Sequence, residues 1–470
     1  MNKASGCDNI NSNTLKLIID FVTTPITYVL NLCIENGYWP THLKKAEIIP
    51  IFKEGDKHLM TNYRPISLIS NIAKIFEKVV YSRLANFIHQ NKILADNQFG
   101  FVEKRGTNDA LLKVTELIYE SIDQSKPTIA TFLDLKKAFD TVNHDILIRR
   151  LSSYGVRGLA LNLLSSYLTD RTQSAKIDNK KSNSYNVTMG VPQGTILGPL
   201  LFILYINELL KLLPSNLVSY ADDTVIIFSG NSWKEVQDKM NSTLEVVGDW
   251  LSSNQLSLNA TKSVYMAFST RKKNIPNNIN IQIHGIKLNS VDNYKYLGVI
   301  FDSLMKWENH ILNITNRTKY MLFVLHKLKH QLLPTTLVSI YYALFQSIAN
   351  YGLVAWGGAY KKYLNPIFNL QKRLTKIIHN KCEKKILNIK ESYIVNSIVY
   401  YYNGLKNSFL NNKNITRKKS IILPKSKKNI GFNRSYMVAI KNFNKLPNNL
   451  KIHNTDAKNL KLKINKVLFS

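Results

Sequence analysis

Cysteine is nearly missing from this 470-residue chain, which has only Cys7, Cys33 and Cys382. They lie far apart and form no CxxC pair. That excludes a sequence-evident zinc knuckle and a disulfide framework, and it fits a reducing compartment. No uninterrupted apolar run reads as membrane-span length, and the polar start Met1-Asn2-Lys3 is no secretory signal. The expectation is a soluble intracellular protein with no membrane partner. Acid is also scarce, with 31 Asp and Glu against 63 Lys and Arg, a formal net charge of +32. What is present is globular in character: 45% hydrophobic and 10% aromatic residues exclude a disordered chain. The length allows two or three domains around a substantial core.

The charge points to a polyanion partner, although an AT-biased gene would also enrich Lys, Asn and Ile. The distribution separates the two. Residues 361–470 hold 25 Lys and Arg against 3 Asp and Glu, whereas the other 360 residues hold 38 against 28. Codon bias enriches lysine throughout; it does not remove acids from one end. The reading is therefore a basic, mostly helical nucleic-acid-binding region at 361–470.

Periodicity places helices within 1–40, at about 71–89 and 108–124, across 143–168 with breaks at Gly155 and Gly158, at 198–213 and at 233–251. Strands are expected at 46–53, ahead of Asp134, around 173–188 as a hairpin, at 264–269, and as two further strands near 281–288 and 294–301. Beyond Lys306 the pattern turns helical, and 411–428 reads as a basic loop or linker.

The most informative feature is Tyr220-Ala221-Asp222-Asp223 between the apolar runs Leu217-Val218-Ser219 and Thr224-Val225-Ile226-Ile227-Phe228. Two strands meeting at paired carboxylates predict a hairpin with two acids at its tip. Adjacent acids repel, and divalent cations are the usual compensation. Asp134, closing the strand Ile129-Ala130-Thr131-Phe132-Leu133, supplies a third carboxylate for a two-metal site of nucleotidyl transfer, its ions about 4 Å apart. Asp134 and Asp222 are the expected bridging ligands, and Asp223 is more peripheral. Asp140 and Asp145 follow too soon to join them. His310, His326, His330 and His379 have no metal-ligand spacing and read as surface or duplex-facing residues.

The order of segments then becomes recognisable. Gly37-Tyr38-Trp39-Pro40, Ile48-Ile49-Pro50-Ile51-Phe52-Lys53, Tyr63-Arg64-Pro65-Ile66-Ser67-Leu68 and Gln98-Phe99-Gly100-Phe101 come first. The Asp134 block, Gly190-Val191-Pro192-Gln193-Gly194, the Asp222 turn and Tyr296-Leu297-Gly298 follow. In this order they make the chain resemble the reverse transcriptases of non-LTR (LINE-type) retrotransposons over about 35–302. The resemblance implies an α+β right-hand polymerase of fingers, palm and thumb, its antiparallel palm sheet packed on helices. The segments would be an N-terminal helical stretch at 1–34, the reverse transcriptase domain at 35–302, thumb-like helices at 303–360 and the basic region at 361–470.

It also implies roles for single residues. Asp134, Leu135, Asp222 and Asp223 would hold two Mg²⁺ ions, with Mn²⁺ a possible substitute. Lys53 and Arg64 would clasp the incoming triphosphate, where a point cation and a planar fork suit phosphate oxygens. Gln193 and Gly194 would approach the nascent base pair, Gln193 as a hydrogen-bonding group. Phe139, five residues past Asp134, would lie under the sugar and exclude a ribose 2′-hydroxyl. Lys262 would protonate departing pyrophosphate. Tyr294, Tyr296, Leu297 and Gly298 would form the primer grip, with aromatics suited to stacking and backbone tracking.

The implied activity is RNA-directed DNA polymerisation from a primer 3′-hydroxyl with dNTPs, used for target-primed cDNA synthesis in the nucleus and cytoplasm. Partners would be the RNA template, the DNA primer or target, and a separate endonuclease, since about 35 residues precede the fingers blocks. The tail lacks the acids of an RNase H. The competing reading is a catalytically inactive or domesticated RNA-binding remnant. Decay should strike acids without preference, yet all three carboxylates, Gln193 and both clasp cations are in place.

Overall fold

Two strands carry the chain back and forth between two compact units. In the computed structural model, residues 5–469 are described apart from 179, 214, 380–385, 412–419, 429, 430, 432 and 453–455. The first unit comprises Met1–Arg105, Leu133–Thr224 and Thr243–Ser263; the second comprises Gly106–Phe132, Val225–Ser242 and Val264–Ser470. Strand β3 (Thr128–Leu133) enters the first unit at its last residue, and β8 (Asp223–Ser229) leaves it after Thr224. The compact units therefore cut across the linear segments expected from the sequence.

The first unit opens with α1 (Ser12–Glu35), whose first turn is capped by the Asn11 side chain accepting from the Thr14 amide at 2.8 Å. The helix, expected within 1–40, runs through Pro25. Unbroken, it is long and apolar enough to cross a membrane by length and composition, against the expectation that no run is. Strands β1 (Lys45–Phe52) and β2 (Tyr63–Ile69) pair antiparallel with Ile51 opposite Arg64. Strand β1 also pairs in parallel with β4 (Arg171–Ile177), which carries β5 (Lys180–Lys181) and β6 (Tyr185–Val187). The core helix α6 (Leu197–Leu212) is apolar nearly all round and buried from Leu197 to Leu210, as its composition requires. Buried Glu77, in α2 (Asn71–Gln90), accepts from the Tyr167 hydroxyl at 2.8 Å and the Ile196 amide at 2.6 Å. It thereby anchors the loop that leads into α6.

In the second unit β9 (Val264–Phe268) pairs antiparallel with β3, Thr131 facing Tyr265, within a sheet of order β12-β9-β3-β8-β7. Here β12 is Asn289–Ser290, and β7 (Leu217–Tyr220) belongs to the first unit. The stretches expected as strands near 281–288 and 294–301 form two hairpins, the second being the hairpin implied for the primer grip. One joins β10 (Gln282–Ile283) to β11 (Ile286–Lys287), the other β13 (Asn293–Tyr296) to β14 (Val299–Asp302). Their turns, His284-Gly285 and Leu297-Gly298, both have positive φ at each residue. That is the backbone of a two-residue hairpin and not of a continuous strand.

Helices follow from Glu308, among them Glu308–Thr318 and Lys361–His379. The basic region has a core of its own, in which Ile398, Tyr402, Phe443 and Ile464 are buried together. Of the expected linker at 411–428, residues 412–419 lie outside the described residues. The stretch 420–428 forms no helix or strand element, as a loop should, and is tied down at Ile421, which exchanges two hydrogen bonds with the Asn444 side chain, each of 2.9 Å. His310 is no surface residue either, with 3% of its area exposed. Its Nδ1 accepts the Ile300 amide at 3.3 Å and its ring meets Trp356 edge-on. Burial pushes the imidazole down to about 4.

Candidate active site

The Asp222-Asp223 turn is held from outside its own hairpin. Ala221 takes a positive φ of 59° and is buried, a conformation that costs a residue with a Cβ and needs support. Gln98, fully buried, supplies it. Its Oε1 accepts from the Ala221 amide at 3.0 Å and the Gly100 amide at 2.8 Å, and its Nε2 donates to Ser219 Oγ at 3.3 Å. The Ser219 hydroxyl donates in turn to the Ala221 carbonyl at 2.8 Å. Backbone bonds Phe99 N to Ser219 O and Ser219 N to Asn97 O zip the two segments together. Gly100 packs so closely that a Cβ there would lie 2.3 Å from the Ala221 nitrogen. The block Gln98-Phe99-Gly100-Phe101 was legible as a family mark, but its task was not.

Asp134 follows β3, the neighbour of β8 in the sheet. Its carboxylate accepts from Asn259 Nδ2 at 2.9 Å, its carbonyl from the Asn259 amide at 2.7 Å, and its amide donates to Ser263 Oγ at 3.1 Å. Leu135 is half-buried and bridges to Leu258. The loop that carries Lys262 thus grips Asp134 through Asn259, three residues earlier, which the sequence reading passed over. Lys262 is itself exposed.

The three acids feel one another. Burial first, then the charge of Asp134, raises the Asp222 carboxyl, while Lys53 and Arg64 lower it. Asp223 is pushed up to about 6, by loss of solvent first and then by Asp222 and Asp134, again opposed by Lys53 and Arg64. Asp223 still opens to solvent. All five residues lie in the first unit. Lys53 and Arg64 come from one face of the β1–β2 hairpin: Ile51 opposes Arg64, and Lys53 is two residues beyond Ile51. Both are exposed.

The loop of Gly190 to Gly194 closes over the stretch after Asp134. Val191 N bonds to Phe139 O at 2.8 Å and Gly190 N to Val142 O at 2.7 Å. A Cβ on Gly190, whose φ is 86°, would sit 2.7 Å from the Asp140 carbonyl oxygen. The Gln193 carbonyl accepts from the Ser67 amide at 2.7 Å, and Gly194 lies against Ile66 and Ser67. Gln193 Nε2 donates to Asp140 Oδ1 at 2.8 Å. Asp140, set aside on spacing, therefore orients the Gln193 amide. Phe139 is half-buried, stacked on Phe202 at 4.3 Å with Phe101 edge-on at 6.3 Å. The expected primer-grip residues sit on the β13–β14 hairpin of the second unit. Tyr294 lies on Phe132 at 4.4 Å, and Tyr351 donates to the Leu297 carbonyl at 2.7 Å. Tyr296 is buried against Phe132 and Phe301. Its ring serves the hairpin's core and is closed to stacking on bases, a correction to its expected part; Gly298 is exposed.

Hard carboxylate oxygens crowded so that Asp222 and Asp223 hold protons more tightly fit Mg²⁺ or Mn²⁺. Among the described residues no three His, Cys, Asp or Glu side chains converge on one point as they stand.

An acid-tipped hairpin at a sheet end, a third acid beside it and a cationic hairpin in the same unit define the α+β class expected of a polymerase-type fold. Residues 51–301 match the family described as "Reverse transcriptase (RNA-dependent DNA polymerase)", and the chain belongs to it. It is 29% identical over 383 residues to the RNA-directed DNA polymerase from mobile element jockey of Drosophila melanogaster, covering 79% of this chain and 41% of that protein. It is likewise 29% identical over 396 residues to the probable RNA-directed DNA polymerase from transposon BS of the same species, covering 80% and 43%. The chain thus spans about two fifths of the length of these relatives. Among solved structures it is similar to telomerase from Candida albicans, at 13% identity and a TM-score of 0.41, covering 80% of this chain and 72% of the other.

Proposed function

We propose that this chain is an RNA-directed DNA polymerase of the non-LTR retrotransposon type, which extends a primer 3′-hydroxyl with dNTPs on an RNA template. The observation that carries the reading is the gathering in one unit of Asp222 and Asp223, raised by burial and by the charge of Asp134, with Lys53 and Arg64 opposing them. Such a site is suited to trade protons for divalent cations and to meet a triphosphate with positive charge. The family and the jockey-type relatives support the same reading.

Asp134, Asp222 and Asp223, with Leu135 beside them, would hold the two metal ions. When bound, the ions lower the pKa of the primer hydroxyl and stabilise charge on the leaving pyrophosphate. The protein's own part is positioning. Gln98 fixes the turn that presents Asp222 and Asp223, Asn259 orients Asp134, and Lys53 and Arg64 bind phosphate oxygens. Asp140 holds the Gln193 amide nitrogen, leaving its oxygen to the nucleotide or template, and Phe139 limits the sugar. Target-primed synthesis would further need a DNA end supplied by an endonuclease.

Primer extension on an RNA template with dNTPs and Mg²⁺ tests the proposal, with Asp222→Ala as control. Wild type should incorporate and the variant should not; equal incorporation by both would refute the polymerase reading.

A further inference from the structure

The second unit contains a cavity of about 330 Å³ that the polymerase reading does not use. Its wall brings together Ser125 and Lys126 after the helix α3 (Thr107–Asp123), Trp233 at the start of α7 (Trp233–Ser253), Ser269, Thr270 and Arg271 after β9, and Lys428 from the basic region. Three cations and three hydroxyls thus surround one indole. Among the described residues, Lys126 and Arg271 pair with no carboxylate, and the three hydroxyls make no hydrogen bond within the protein.

The site is built by an internal clamp. Asp123, 6% exposed, accepts from Ser426 Oγ at 2.9 Å, Lys427 N at 3.0 Å and Lys428 N at 2.8 Å. Its charge is therefore spent on the loop that delivers Lys428. Gly431 closes the clamp, since a Cβ there would stand 2.2 Å from Ser426 Oγ and 2.8 Å from Asp123 Oδ1. The Lys428 ammonium donates to the Ile122 carbonyl at 2.7 Å, and burial lowers its pKa, so a bound anion would restore what solvent no longer supplies. On the opposite wall, Trp233 Nε1 donates to the Asn274 carbonyl at 2.9 Å, which fixes the plane of the ring.

We propose that this cavity is a second RNA-binding site that takes one nucleotide of a single strand, its base against Trp233 and its phosphodiester between Lys126, Arg271 and Lys428. Fixed aromatic planes beside unpaired cations are how sequence-independent single-strand sites work. The volume of about 330 Å³ is on the scale of a single nucleotide. The proposal rests on the chain being a polymerase that handles RNA. It assigns the cavity to a stretch of strand distinct from the one at the three carboxylates.

The test uses the full chain with its polymerase site saturated by a primer–template hairpin. The probe is a labelled oligouridylate of about a dozen nucleotides containing 4-thiouridine. Irradiation should crosslink it to peptides containing Trp233 or residues 269–274. Lys126→Ala/Arg271→Ala should weaken binding at least about fivefold and lower the slope of log affinity against log salt by about one. Unchanged affinity and slope, or crosslinks only elsewhere, would overturn the site. So would equal protection by millimolar inorganic phosphate or uridine monophosphate, which would mark a small-anion pocket. Incorporation on a short primer–template should be the same in the double variant as in wild type. Crosslinking at Trp233 by a wild-type chain that incorporates nothing would refute the polymerase reading and leave the cavity assignment standing.

Discussion

The Oε1 atom of Gln98 lies 3.0 Å from the amide nitrogen of Ala221, and this contact sets the conformation that presents Asp222 and Asp223. The same oxygen accepts from Gly100, so one buried amide serves two backbone donors. Gln98→Leu keeps much of the volume and removes the acceptor. Two buried N–H groups left unsatisfied should cost about 3 kcal/mol, read as a lowered midpoint in urea unfolding. Primer extension should fall about tenfold or more while affinity for the primer–template stays within about twofold, because the loss is one of positioning. An unchanged unfolding midpoint would show that the turn holds its shape without Gln98.

Asn259 offers a sharper test of the carboxylates. Asn259→Ala removes the side-chain bond to Asp134 Oδ2 and leaves the backbone bond to the Asp134 carbonyl in place. The loop should keep its path while the carboxylate loses its orientation. Groups that orient metal ligands typically carry about 10- to 100-fold in affinity or activity. The Mg²⁺ concentration for half-maximal primer extension should therefore rise by about tenfold, with thermal stability little changed. A half-maximal concentration equal to that of wild type would separate Asn259 from the metal site.

These two residues also mark where the sequence stopped being legible. The acid-tipped hairpin could be read because its strands and carboxylates are adjacent in the chain, and Asp134 because it ends an apolar strand. Gln98 acts on Ala221 across 123 residues and Asn259 on Asp134 across 125, and no local periodicity records such partners. Asp140 was set aside by spacing alone, yet its bond to Gln193 arises because the Gly190 loop folds back onto it. Helix α1 lies where periodicity placed helix within 1–40, and its neighbours carry it past the one bond that Pro25 cannot donate. The hairpin at His284-Gly285 was read as a single strand because its turn is only two residues long, whereas the one at Leu297-Gly298 was implied with the primer grip.

Phe139 stands between core and site. One face stacks on buried Phe202, and the residue keeps partial exposure beside the Gly190 loop. Phe139→Ala should therefore have two separable effects. Lost packing should lower stability by about 2 kcal/mol, below the figure for a fully buried ring. Opened space should raise the ratio of kcat/KM for rNTPs to that for dNTPs by about tenfold or more, as expected where a steric gate rejects one hydroxyl. Single-nucleotide incorporation with matched ribo- and deoxyribonucleotides reads the ratio directly. Lost stability with unchanged sugar selectivity would leave Phe139 as packing only.

His310 gives the fold of the second unit a defined response to acid. Its folded-state value of about 4 lies below that of an exposed imidazole, about 6.5, so the unfolded chain takes up the proton first as pH falls. The neutral buried ring contributes its full stability above about pH 6.5, loses it as pH drops through the interval, and reaches its floor below about 4. The interval corresponds to about 3 kcal/mol at most. His310→Gln retains an acceptor for the Ile300 amide and cannot titrate. At pH 7 the variant should be no more stable than wild type, since the Nδ1 contact and the Trp356 ring favour histidine. Between pH 6.5 and 4.5 wild type should lose more stability than the variant, so the two curves converge or cross. Urea unfolding at pH 7 and pH 4.5 measures the difference, and parallel losses would mean that another group sets the acid response.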